Sequence, residues 1–193
     1  MVVSNDKAAA LLQISDSIIA EDPTPELRQL ATKMVFGAGP PDAALVFIGE
    51  APGKKEDLTG EPFVGASGKL LNELLSSIGL KRSDIYVTSI VKYRPPNNRD
   101  PKPNEIAVFV PYLKRQIEII SPQVVVFLGR HAMNVFLPDL KISEVHGKAV
   151  VRDGQTFLPL YHPAAALYNG SLRQTLRDDF ANIPAILALR GGI

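Results

Sequence analysis

The sequence predicts an α/β protein with a mainly parallel sheet and helices on both faces. Three short apolar runs, 43–48 (AALVFI), 84–91 (DIYVTSIV) and 123–128 (QVVVFL), are rich in β-branched residues and uninterrupted by polar alternation, as strands covered on both faces must be. Between them lie stretches with apolar residues at helical spacing, and strands alternating with helices imply parallel crossovers. The first and third runs stop at a glycine, Gly49 and Gly129, where open α/β sheets place their ligand crevices.

In chain order, residues 7–19 carry Leu11, Ile14 and Ile18 on one helical face, with Leu12 and Ile19 beside them. Glu21–Pro25 ends that helix, a second short one is expected from Pro25 to about Lys33, and Gly37–Pro41 turns the chain into the first strand. Leu70, Leu71, Leu74, Leu75 and Ile78 share a face that stops at Gly79, with Ser67 as the expected N-cap. The second strand runs directly into a basic loop, 92–102 (KYRPPNNRDPK). Asn104 is the expected cap of a helix carrying Ile106, Phe109, Leu113, Ile117 and Ile120, with a kink at Pro111. A short helix through Phe136 follows the third strand, and Asp153-Gly154 marks a hairpin between 147–151 and 156–161. A last helix is expected from Ser171 to Leu189, interrupted at Pro184.

At 193 residues and 46% hydrophobic, the chain suits one domain with a continuous core, and no repeat or low-complexity tract divides it. It contains no cysteine, which excludes disulfides, thiolate nucleophiles and any cysteine-held metal cluster. Nothing in Met1–Asp6 resembles a leader and no run is long enough to span a bilayer, so a soluble, cytoplasmic protein is expected. A net charge of +1 implies that any polyanion-binding surface is local, and the 92–102 loop is the candidate.

Glu50, Ser89 and His162 each fall at or near the carboxyl end of a different strand. In a parallel sheet those ends share one edge, so the three converge on one crevice, with Phe63 adding an aromatic ring. Such a crevice suits a planar polar ligand carried on a phosphate chain. Each residue also has a structural reading: Glu50 accepting backbone N–H bonds in its own turn, Phe63 as core, His162 as a turn residue before Pro163. His131 and His146 read as structural, and no stretch has metal-site, nucleophile-elbow or P-loop spacing.

Gly49-Glu50-Ala51-Pro52-Gly53, continued by Glu56-Asp57 and 60–65 (GEPFVG), resembles the first motif of the uracil-DNA glycosylase superfamily, in its family 4 branch. Residues 87–98 (VTSIVKYRPPNN) resemble its second region, Pro111–Leu113 with Arg115–Ile117 its following helix, and His162–Ala165 its last motif, so the likeness covers roughly 34–180. It implies a three-layer α/β/α sandwich around a four-stranded parallel sheet. It also implies hydrolysis of the bond between uracil and deoxyribose in DNA, on a nucleotide swung out of the base stack. Phe63 would stack on the base, His162 would donate to uracil O2, and Glu50 and Glu56 would position water. Ala51 stands where the better-known family 1 enzymes have aspartate. Ser89 and Asn98 would face the base, Lys92, Arg94 and Arg99 would meet phosphates, and Leu167 would enter the duplex as an apolar wedge, with Tyr168 beside it on the DNA side where many relatives have a basic residue. The expected partner is therefore DNA containing uracil or another deaminated base, with no membrane partner and a monomeric enzyme.

The sequence departs from that pattern twice. Family 4 is typically a four-cysteine iron–sulfur protein, yet Tyr93 and Phe109 occupy the later ligand positions and 22–25 (DPTP) offers no thiol. No cofactor is expected, and the two aromatics become core residues instead. Relatives place Asn at the position of Ser89, where the amide reads uracil N3–H and O4 together. A serine implies weaker discrimination or a wider range of deaminated bases. A further branch traps its product through a histidine in an inserted loop, but 94–103 contains none, so covalent capture is not expected. Against a hydrolytic enzyme stand two other readings, a catalytically weak binder of damaged or single-stranded DNA and a nucleotide-processing hydrolase.

Overall fold

A computed structural model describes residues 4–191, so Met1–Val3 of the stretch read for a leader lie outside it. Five strands form one sheet: β1 (Leu45–Gly49), β2 (Tyr86–Ser89), β3 (Val124–Leu128), β4 (Val150–Arg152) and β5 (Gln155–Leu160). Their spatial order is β2-β1-β3-β5-β4. The first four in that order are mutually parallel, and β4 pairs antiparallel to β5 at the edge. The four-stranded parallel core thus stands as expected, with the Asp153-Gly154 hairpin adding the fifth strand; both turn residues have positive φ, 51° and 80°, the requirement of a tight hairpin turn.

The strands are apolar throughout because both faces are covered. Along β1, Val46 and Ile48 enter one hydrophobic cluster while Leu45 and Phe47 enter the other, and β3 divides the same way. The first face is packed by α1 (Ser4–Glu21), α2 (Pro25–Leu30), α5 (Pro103–Ile120) and α6 (Arg130–Phe136). The second is packed by α4 (Ala66–Ser77), α8 (Pro163–Ala166), α9 (Gly170–Ala181) and α10 (Ile183–Gly191). This is the three-layer sandwich. On α1 the face predicted to be buried is buried, and its neighbours Leu12 and Ile19 stay in solvent. Tyr112 of α5 donates to Glu21, tying α5 to the end of α1.

Two short helices, α3 (Lys54–Thr59) and α7 (Ile142–Val145), carry too few apolar residues to show in the pattern. Capping differs from expectation as well. Gly65 rather than Ser67 precedes α4, Lys102 rather than Asn104 precedes α5, and Asn169 caps α9 by accepting from the Leu172 N–H. Glu105, in the first turn of α5, accepts the Lys102 N–H. The 35–39 segment is not a free turn. Ala38 exchanges backbone bonds of 2.9 and 2.8 Å with Val87, and so covers the outer edge of β2.

Tyr93 and Phe109 are buried with ring centroids 6.1 Å apart. Residues that would have to be thiolates to hold a cluster here are packed aromatic core, so the chain neither has the ligands nor the space for one. Each ring contributes about 2–3 kcal/mol by burial. Among the described residues no helix is long and apolar enough to cross a membrane.

Candidate active site

The winding of the chain reverses around β1, which lies between β2 and β3. Ligand crevices open at such switch points, beyond the strands' carboxyl ends. Four strand ends meet there. Glu50 follows β1, Ser89 ends β2 in register with Gly49, Gly129 follows β3, and His162 lies two residues past β5. The Gly129 N–H donates to Leu160 O at 2.8 Å, and a β-carbon on Gly129 would lie 3.2 Å from that of His162. A cavity of about 290 Å³ opens between them, walled by Glu50, Phe63, Ser89, Asn98 and His162. Ala51, Glu56 and Arg99 also line it.

Phe63 is held in a left-handed backbone conformation, φ 55°, which a bulky residue adopts only when its surroundings over-determine it. The constraints are identifiable. Glu56 Oε1 accepts the N–H groups of Val64 and Gly65 at 2.9 and 2.7 Å, and Arg82 Nη2 donates to Pro62 O at 3.0 Å. The ring lies against Gly49, where a β-carbon would come within 2.6 Å of it. Its face looks across the cavity to His162, with centroids 5.9 Å apart. Glu56 is thus the brace of the aromatic platform.

His162 Nδ1 accepts the Ala164 N–H at 3.0 Å. With that nitrogen committed as acceptor, a neutral ring carries its proton on Nε2. Burial, with a smaller contribution from His131, pushes the imidazole down to about 4. At neutral pH it is an uncharged, oriented donor.

Glu50 is pushed up by burial; Asp100 adds to the rise, whereas His131 and Arg130 oppose it. Polar atoms of Glu50, Asp100 and His131 all lie within 4.8 Å of one another. His131, at the start of α6, and Asp100, in the basic loop, are site residues that sequence reasoning missed. The available signal was the rule that found Glu50 and His162, since Gly129-Arg130-His131 also follows a strand end. Among the described residues this is the group with metal-ligand spacing, but Arg130 Nε lies 3.3 Å from His131 Nε2 and already places a cation there.

The basic loop corrects one expectation outright. Lys92 is fully buried and cannot reach a phosphate. Its ammonium donates to Thr88 Oγ1, Ser89 O and Gln116 Oε1 at 2.6, 2.9 and 2.7 Å. Burial draws its pKa down to about 7. Lys92 therefore fixes the backbone of Ser89 from behind. Arg99 makes a bidentate pair with Glu105, 2.8 and 2.6 Å, and that contact holds the Glu105 carboxyl below its usual range. Arg94 Nε donates to Asn98 Oδ1 at 2.7 Å, orienting the amide at the cavity mouth. Leu167 is half-buried against the second core cluster, whereas Tyr168 is 96% exposed, so the tyrosine is the side chain that projects. His146, read as structural, pairs with Asp179 at 2.8 Å and ties the segment before β4 to α9.

Lys92→Met is expected to lower stability by about 1–3 kcal/mol for each buried acceptor it orphans. It should leave the salt dependence of DNA binding unchanged, whereas Arg94→Gln should reduce the slope by about 1. Urea unfolding and titration against a labelled oligonucleotide at several salt concentrations measure both. A shallower slope in Lys92→Met would overturn its assignment as a buttress.

A parallel sheet whose switch point holds an aromatic platform, a neutral imidazole donor and a desolvated carboxylate defines a protein that takes up one planar polar base. The comparisons specify it further. The model of the uracil DNA glycosylase superfamily matches residues 36–183, and the chain belongs to that family. It is 50% identical to the type-4 uracil-DNA glycosylase of Archaeoglobus fulgidus, over 82% of this chain and 84% of that protein. The type-4 enzyme of Sulfurisphaera tokodaii is 46% identical over 82% and 76%, and that of Thermotoga maritima 42% identical over 83% and 86%.

Proposed function

We propose that this protein is a monofunctional glycosylase that hydrolyses the N-glycosidic bond of uracil in DNA and leaves an abasic site. The observation that carries this reading is His162, a neutral donor with its Nδ1 held by the Ala164 N–H, on the wall of the cavity that Phe63 also lines. As the C1′–N1 bond breaks, its electron pair remains on uracil and negative charge grows on O2. A preorganised donor stabilises that charge without reorganising, by about 3–4 kcal/mol. Phe63 stacks on the extruded base, and Glu50 orients the water that adds to C1′. Glu56 acts through the platform turn it braces. A binder without catalysis has no use for a desolvated, proton-ordered imidazole, and close relatives named as uracil-DNA glycosylases favour the enzyme as well.

On the DNA side, Arg94, which donates to Asn98 on the cavity lining, meets the backbone, and exposed Tyr168, with Leu167 anchoring its loop, enters the duplex beside the vacated position. One crevice serves one lesion, so the enzyme acts as a monomer.

Ser89 sets base choice. Its hydroxyl borders the cavity beside Gly49, but one rotatable O–H cannot accept from N3–H and donate to O4 together. Ser89→Asn is expected to raise the preference for uracil over hypoxanthine and xanthine by about 1–3 kcal/mol, the size of a bidentate base contact. Alkaline cleavage of matched oligonucleotides bearing each base, single- and double-stranded, measures it. Intact uracil and intact deaminated purines in every substrate would overturn the glycosylase reading. Equal preference in both proteins would remove Ser89 from base reading.

A further inference from the structure

Glu50, on the cavity wall, is accompanied from behind that wall by two residues that no glycosylase role yet uses. Asp100 reaches it from the basic loop and His131 from the first turn of α6, and their polar atoms form a triangle with sides no longer than 4.8 Å. His131 is largely withdrawn from solvent, with 29% of its side chain exposed, whereas Asp100 closes the triangle from the solvent side at 68%. The Nε2 atom of His131 lies 3.3 Å from Asp100 Oδ2 and 3.3 Å from Arg130 Nε. A protonated Nε2 donates to Asp100; a bare one accepts from Arg130. The ring therefore has two partners, and its proton decides between them.

We propose that Asp100 and His131 are positioning residues for Glu50, holding its carboxyl at the crevice wall and setting whether it carries charge when water attacks. This rests on the reading of Glu50 as the group that orients water. The step balances simply. The water oxygen bonds to C1′ as C1′–N1 breaks, one water proton passes to the Glu50 carboxylate, and the uracil anion is protonated from solvent while Glu50 returns its proton there. Glu50 must be ionised to take part.

Two carboxyls this close resist double ionisation, and a neighbouring cation relieves that resistance. The charged groups facing Glu50 are Asp100 from the loop and Arg130 and His131 from α6. Asp100 raises the carboxyl and the two α6 cations lower it, on top of the larger rise caused by burial. The arrangement also couples chemistry to loop position. Asp100 sits in the same loop as Arg94 and Asn98, so the loop that meets DNA carries one of the groups that tune Glu50. A displaced loop removes Asp100 from the triangle and with it one of the groups that raise the Glu50 carboxyl.

The test exploits the opposite signs. His131→Gln removes a group that opposes the burial-driven rise of Glu50 and should move the acid limb of the single-turnover pH profile upward. Asp100→Asn removes a like charge and should move it downward. A ¹³C-carboxyl titration of Glu50 should show the same two shifts independently of turnover. In a Glu50→Gln background both substitutions should lose their effect on rate, to within about twofold, because the carboxylate they act through is gone. Unmoved limbs, limbs moving in the same direction, or undiminished rate effects in the Glu50→Gln background would each overturn the proposal. So would a Glu50→Gln enzyme with the native rate, which leaves uracil excision itself standing; only a native protein inert on uracil removes that.

Discussion

Replacing His162 with alanine is expected to lower the single-turnover rate of uracil release by about 10²–10³-fold, the cost of removing one preorganised donor. Substrate affinity should change little, because charge on O2 exists only as the bond breaks. The expectation follows from the proton. A free imidazole near neutral pH is a mixture of charge states and tautomers, whereas this one is held neutral by burial, near 4, and held in one tautomer by the Ala164 N–H. Protonation would cost Nδ1 its acceptor role and break that contact. The neutral form is thus fully populated well above about 4 and lost as pH falls through that value. The Glu50 carboxyl, displaced upward from the ordinary carboxylate range, titrates first on the way down, so the acid limb of the rate profile is expected to belong to Glu50. A loss below about tenfold in His162→Ala would place the leaving-group stabilisation elsewhere.

The sheet and the convergence of Glu50, Ser89 and His162 were legible in the sequence because both rest on strong local signals. Uninterrupted β-branched runs mark doubly covered strands, and parallel strands share one carboxyl edge. The lack of a thiolate-held cluster was legible too, since the sequence contains no cysteine. What escaped depended on contacts far apart in the chain. Lys92 reads as one more charge in a basic loop until Gln116, 24 residues later, and Ser89 O are found taking its protons. Arg99 has Glu105 six residues away, yet only the fold reveals the bidentate geometry. Of the four basic residues in that loop, at least two therefore serve the scaffold, and counting charge along the sequence overstated the surface available to DNA. His131 was read as a helix residue on an apolar face; its distance to Glu50 is set by the pairing of β1 with β3, which no local pattern encodes. The wedge candidates show the same limit. Leu167 and Tyr168 are adjacent in sequence, and packing alone decides that one anchors the loop and the other projects.

Gly68→Ala is the substitution for which local and tertiary rules disagree in sign, and packing should prevail. Gly68 lies in the first turns of α4. Alanine inside a helix is favoured over glycine by about 1 kcal/mol, so propensity alone predicts a more stable protein. A β-carbon at this position, however, would lie 1.7 Å from Phe63 O and 2.2 Å from Phe63 C. Carbon and its neighbours rest near 3.5–4.0 Å, so main chain must retreat by more than an ångström, and there is little freedom for it to do so. The Phe63 turn is held by Glu56 through Val64 and Gly65, by Arg82 through Pro62, and by the contact of its ring with Gly49. Strain of this kind costs about 1–3 kcal/mol or more, which outweighs the helical gain. The larger effect falls on catalysis. Phe63 is the platform, and displacing a reacting group's support by about 1 Å can cost about 10²-fold in rate. Gly68→Ala is therefore expected to be destabilised in urea unfolding and to lose about 10²-fold in uracil release. A variant that melts higher than the native protein and retains its rate would show that the turn yields freely, and that Phe63 is not held where the chemistry needs it.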